Sequence, residues 1–130
     1  MIDHTGLQVR DPVASGRFYD RALAPLGYRM LIQVPLEHAG GVALGYGFPP
    51  RPDFWVSAGT PNEPRLPVAF RAETHQQVDE FYRAAIAAGG RDHGGPGPRP
   101  HYHEHYYGAF VLDPDSHNIE AVCHAAGCSP

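Results

Sequence analysis

The chain matches itself at an offset of 63 residues, with no gap required. Laying His4–Tyr28 on Pro67–Arg91 puts Phe18 and Tyr19 on Phe81 and Tyr82. It also puts Ala22 on Ala85, Leu23 on Ile86, Ala24 on Ala87 and Gly27 on Gly90. Apolar strand positions follow, Leu7 on Phe70 and Val9 on Ala72. Twice the offset nearly exhausts the 130 residues, so the chain reads as two tandem copies of one supersecondary unit. A chain of this length buries roughly two thirds of its unfolded surface. Both copies therefore share one core, giving one domain over residues 1–130 made of modules at about 1–62 and 63–126.

Each copy shows the same order of elements. Ile2–Val9 alternates as a half-buried strand, and Asp11-Pro12 then supplies an N-cap and a first-turn proline. Val13, Ala14, Phe18, Ala22, Leu23 and Leu26 form a helical apolar face that Gly27 closes. Tyr28–Val34, Val42–Tyr46 and Phe54–Ala58 read as strands. In the second copy Leu66–Ala72 is a strand, Thr74 a cap, and Gln76–Ala88 a helix ended by Gly89-Gly90. Val78, Phe81, Tyr82, Ala85 and Ile86 point inward on that helix. Residues 94–100 (Gly-Gly-Pro-Gly-Pro-Arg-Pro) form a loop by composition. Tyr106–Leu112 and Asn118–Cys123 are strands around a turn at Asp113–Ser116.

Composition narrows the partners. The ten basic residues, all arginine, are scattered through a chain of net charge −4, which argues against nucleic acid. No basic-then-apolar leader and no 18-residue apolar run occur, so neither secretion nor membrane spanning is expected. Cys123 and Cys128 are too few for a disulfide framework, which points to a reducing cytoplasm. With His124 they also fall short of the four ligands of a closed zinc site.

Two stretches carry a family resemblance. Asp3-His4-Thr5-Gly6-Leu7-Gln8-Val9 followed by a Phe-Tyr helix resembles the opening strand of the vicinal oxygen chelate superfamily. Tyr106–Val122, with Asp113-Pro114-Asp115-Ser116 and Ile119-Glu120-Ala121, resembles its closing hairpin. This is the glyoxalase, bleomycin-resistance and extradiol-dioxygenase group. The resemblance implies an α+β fold: two tandem βαβββ modules forming an open, eight-stranded, cup-like barrel. It also implies a small-molecule ligand and a homodimer.

Metal ligands in that family come from the first and last strands of each module. By the resemblance His4 and Glu120 hold two such positions, and the offset puts Pro67 and Ser57 at the other two. Neither is an adequate ligand, so the set is incomplete. A glyoxalase-type proton transfer needs a metal-bound carboxylate, with Glu120 the catalytic candidate. Extradiol cleavage needs two histidines and a carboxylate. His103, in the run His101, His103, Glu104, His105, is the candidate third ligand; the other reading of that run is an exposed loop. Imidazole with carboxylate suits Zn, Fe, Ni or Mn. Tyr102, Tyr106, Tyr107, Phe110 and Trp55 are candidate pocket walls, with ordinary strand packing as the alternative for the tyrosines. Glu120, flanked by Ile119, Ala121 and Val122, needs a partner or a cation if it faces the cup. His38, His75, His93 and His117 are expected on the surface. Two functions follow: a metal-dependent lyase, isomerase or dioxygenase, or a metal-free binder that sequesters a small molecule.

Overall fold

The computed structural model describes residues 1–37 and 41–126, so His38 and Cys128 lie outside the described residues. The first helix, α1 (Pro12–Leu23), starts where Asp11 Oδ1 accepts from the amides of Val13 and Ala14 at 3.0 and 3.3 Å. Ser15, Phe18, Tyr19 and Ala22 recur at helical spacing and are buried, while Val13 and Ala14, expected inward, stay exposed. A 3-10 turn at Ala24–Leu26 follows, and Gly27 stops it at φ 87°. Helix α2 (His75–Ala87) is capped by Thr74, whose Oγ accepts from Gln77 N at 3.1 Å. Val78, Phe81 and Ala85 form its buried stripe; Ile86, expected inward, sits at the edge.

Strands β1 (Thr5–Val9), β2 (Arg29–Pro35), β3 (Val42–Gly47) and β4 (Phe54–Ala58) make one sheet, ordered β1-β4-β3-β2. Strands β5 (Pro67–Arg71), β6 (Arg91–Asp92), β7 (Gly97–Pro98), β8 (Tyr107–Leu112) and β9 (Asn118–Cys123) make the second. Its order is β5-β9-β8-β6, with β7 also on β8. In both, the first strand runs parallel to the last through a crossover containing the helix. The fold is thus two tandem βαβββ units whose sheets form an open cup. The second unit splits its outer strand: where β2 runs seven residues, β6 and β7 contribute two each. Pro96, Pro98 and Pro100 cannot donate to a ladder, so a continuous strand cannot form there.

Alternation assigns the faces. Leu7, Val9, Phe54, Val56, Leu44 and Tyr46 are buried beneath α1, and Phe70, Ala109, Val111, Ile119 and Ala121 beneath α2. The helices pack on each other, and Phe70 meets Phe54 and Tyr28 edge-on across the modules, centroids 5.0 and 5.5 Å apart. The intervening residues face the cup. In sheet one these include Gly6, Gln8, Trp55 and Ser57; in sheet two, Ala69, Arg71, Phe110, Asn118 and Glu120.

The turn after β8 corrects an expectation. His117, expected on the surface, is fully buried. Its Nδ1 accepts from Leu66 N at 3.0 Å, which leaves Nε2–H to donate to Gln8 O at 2.9 Å. Asp113 is buried with it, accepting from Tyr19 O–H at 2.6 Å and from the Asp115 and His117 amides. Arg65 Nε donates to Asp115 O at 2.6 Å. Asp113, Asp115 and His117 fill a buried seam between the modules, where apolar periodicity carries no signal.

Candidate functional site

Glu120 lies on β9 between Ala69 of β5 and Phe110 of β8, on the cup face. Tyr106 O–H donates to its Oε2. Burial raises the Glu120 pKa above the ordinary carboxylate value, against the opposing pull of that hydrogen bond and of Arg99. Burial first, then the bond to Glu120, raises the Tyr106 phenol in turn. The pair therefore favours one neutral partner beside one that can carry charge, a natural holder for a ligand hydroxyl.

A collar of rings surrounds Tyr106. Tyr102 meets it with centroids 4.8 Å apart, His103 at 5.2 Å and His124 at 5.3 Å. His103 Nε2 and His124 Nδ1 lie 2.7 Å apart, so one proton is shared between two nearly parallel rings. The His-rich run reaches Glu120 only indirectly: His103 packs on the Tyr106 ring, whose hydroxyl serves that carboxylate. His101 leans on Tyr102 at 4.3 Å, and His105 stands 3.9 Å from Glu104 in the open.

The remaining expected site residues divide. Phe110 is beside Glu120 and belongs to the site. Tyr107 departs from expectation: strand alternation turns it toward α2, where its O–H donates to Asp79 at 2.7 Å and its ring stacks on His75 at 3.9 Å. Burial, then Asp79, lifts its pKa to about 12. With His75, His105 and Tyr106 it lines a cavity of about 140 Å3. His4 precedes β1, is largely exposed, and pairs through Nδ1 with Asp3 Oδ1 at 2.7 Å.

Register revises the fourth ligand position. Gly6 pairs with Trp55 as its offset mate Ala69 pairs with Glu120, and Gly45 faces Trp55 as Phe110 faces Glu120. The offset of 63 residues in the first strands has become 65 in the last, because the second module carries two more residues before β8. Trp55, and not Ser57, occupies the place of Glu120. An indole cannot ligate a divalent ion, and the 67 position remains proline. The donors left, His4 and Glu120, belong to different sheets and have separate hydrogen-bond partners. Among the described residues no group of three or more His, Cys, Asp or Glu side chains is arranged to hold a metal ion. The described residues of one chain do not fit a resident metal.

From the sequence alone Arg99 and Asn118 were not singled out, and His124 entered only beside the two cysteines. Arg99 had a signal, being the single charged residue in residues 94–100; Asn118 had none short of the register.

Two layered α/β units, each with its first strand parallel to its last, and a shared cup define a paired-βαβββ protein. The family model "Glyoxalase/Bleomycin resistance protein/Dioxygenase superfamily" matches residues 1–121, and the chain belongs to that superfamily. A glyoxalase/bleomycin resistance protein from Albidiferax ferrireducens T118 is 26% identical, with TM-score 0.71 over 95% of this chain and 98% of that one. A glyoxalase I mutant from Zea mays is 21% identical, with TM-score 0.70, over 93% of this chain and 46% of that longer one. The fosfomycin resistance protein FosX from Listeria monocytogenes is 17% identical, with TM-score 0.65 over 93% of this chain and 87% of that one. That structure contains Mn(II) and a dihydroxypropylphosphonic acid. Comparison with curated protein sequences gave no match.

Proposed function

We propose that this protein is a metal-free small-molecule binder of the superfamily, holding its ligand in the cup at Glu120 and Tyr106. The observation that carries the reading is the pair of replacements, Pro67 and Trp55, at two of the four ligand positions. Glu120, freed from a cation, is instead served by the Tyr106 hydroxyl. Trp55, Tyr102 and Phe110 give the cup aromatic walls suited to a largely apolar molecule.

The second reading is a metal-dependent lyase, isomerase or dioxygenase. It is favoured by His4 and Glu120 themselves and by His103 beside Tyr106. It requires a homodimer in which His4 of one copy approaches Glu120 of the other; we propose the dimer under either reading, and light scattering at micromolar concentration tests it.

Calorimetric titration of chelator-treated, untagged protein with Zn, Mn and Ni separates the two. The binder reading expects affinity no tighter than that of a His4→Ala, Glu120→Ala double variant. A micromolar or tighter site that the double variant lacks would return the metal enzyme to first place.

A further inference from the structure

The broken outer strand of the second sheet leaves a hollow beside Glu120. His93, Gly94, Arg99, Tyr102, Phe110 and Asn118 enclose about 230 Å3. That is below the roughly 300–1,000 Å3 of sites for drug-sized molecules, so the room is for something smaller. Arg99 is its one fixed cation. Nη1 donates to Gly97 O at 2.9 Å and Nη2 to Gly95 O at 2.8 Å, and the guanidinium sits 5.5 Å from the centre of the Phe110 ring. All these partners are neutral. Among the described residues no carboxylate lies within 4.0 Å of it.

The geometry of the unused donors narrows the choice. A guanidinium has five N–H groups in one plane, and the neutral carbonyls occupy the outer nitrogens. Nε–H has no acceptor among the described residues. With a remaining Nη N–H it makes a side-on fork, which matches the two oxygens of a carboxylate. Asn118 lines the same hollow: its Oδ1 is shut off from solvent without a partner, which leaves its Nδ2 amide, with no acceptor among the described residues, as the group a ligand can meet. Phe110 and Tyr102 leave apolar faces between these two polar points.

We infer that this cavity is a subsite for the carboxylate of a small, planar, monoanionic organic acid, with Arg99 as counterion and the Asn118 amide orienting a polar group on the same molecule. The inference rests on the cup being a small-molecule site and adds the ligand's class. Charge selects against phosphate. One fixed cation faces the hollow and it already acts on Glu120, so a second negative charge on the ligand would have no cation to offset it.

Titration of the full chain with benzoate, benzamide and inorganic phosphate tests this, read by calorimetry and by backbone amide shifts in NMR. Benzoate is expected to bind at least about tenfold tighter than benzamide, the scale of one charge-assisted hydrogen bond. Shifts are expected at Gly94, Arg99, Phe110 and Asn118, with no competition from phosphate. With its fold checked by circular dichroism, Arg99→Gln should remove the preference. Arg99→Lys should recover only part of it. Equal affinity for benzoate and benzamide, a preference that survives Arg99→Gln, benzoate shifts confined to the Arg71 side of the cup, or displacement by phosphate would overturn the subsite while leaving the binder reading in place. Failure of both organic probes to bind at millimolar concentration would overturn the two together.

Discussion

The two modules use one backbone plan for opposite purposes. Sheet one presents Gly6, Trp55 and Gly45 to the cup, with Ile32 and Val34 exposed on its outer strand. Sheet two presents Ala69, Glu120 and Phe110 at the matching points, and adds Tyr106 and Arg99 from the segment that joins its broken outer strand to β8. One half is a wall and the other a site. A repeated fold fixes where a Cβ stands; it leaves free what is attached there, and the polar chemistry has collected in the half whose outer strand is broken.

Helix ends make the sharpest comparison. Gly27 and Gly90 are offset mates, yet only Gly27 is left-handed, at φ 87°; in the second module that role falls to Gly89, at φ 99°. Gly90 is required for room: a Cβ there would stand 2.4 Å from Val111 Cγ1 and 2.7 Å from Phe18 Cε1. Gly90→Ala should therefore cost about 2–4 kcal/mol in urea unfolding. Gly89→Ala meets open space and should cost only about 1 kcal/mol, the left-handed penalty. Equal costs would mean that Gly90 is not pressed for room.

Converting the wall into a site is the next test. Trp55→Glu with Pro67→His restores ligands at both lost positions, and calorimetry should show Ni or Zn affinity at least about tenfold above the starting protein, roughly 1.4 kcal/mol. Ser57→Glu with Pro67→His should not, since the two variants differ only in register. The opposite ranking would restore Ser57 as the equivalent of Glu120.

Alkaline stability separates the halves more gently. Tyr19, Tyr28 and Tyr46 all belong to the first module, and burial is the leading cause that raises each phenol, with Asp113, Asp53 and Asp20 adding to it. The unfolded chain releases those protons near pH 10 while the folded one keeps them. Stability is thus fully present below pH 10 and falls as pH rises above it. Tyr46→Phe should flatten that fall more than Tyr107→Phe, whose ring is more exposed, as followed by circular dichroism from pH 8 to 11. The smallest effect concerns Glu120. Tyr106→Phe removes a bond that lowers its pKa, so the carboxyl should titrate higher in carbon NMR, by less than the shift produced by burial.

How far the sequence reached depends on the kind of signal. Phe54–Ala58 and Asn118–Cys123 were legible to the residue, because their ends coincide with turn residues and their apolar runs with buried faces. The caps Asp11 and Thr74 were equally plain, since a short oxygen-bearing side chain before an apolar helix has few other uses. Glu120 was legible as a carboxylate in an apolar strand. The substitution at the fourth ligand position was hidden by a change of offset that only strand pairing exposes. His117 and Tyr107 were misplaced for a related reason: which side of the chain they take is set by the seam and by alternation counted from a boundary one residue away. Arg99 was visible as the one charge in its loop, but its place in a site needed the hollow.

His117 joins Gln8 of the first strand to the last turn, across 109 residues of chain. Closing so long a loop has an entropy that must be met before the contact returns anything, which puts this joint among the later events of folding. The halves are therefore copies in form but not independent in time, and neither can reach its final arrangement while the other is open. Hydrogen exchange should show it: the Leu66 amide, held by His117, should exchange at the rate of global unfolding and not with the edge strands.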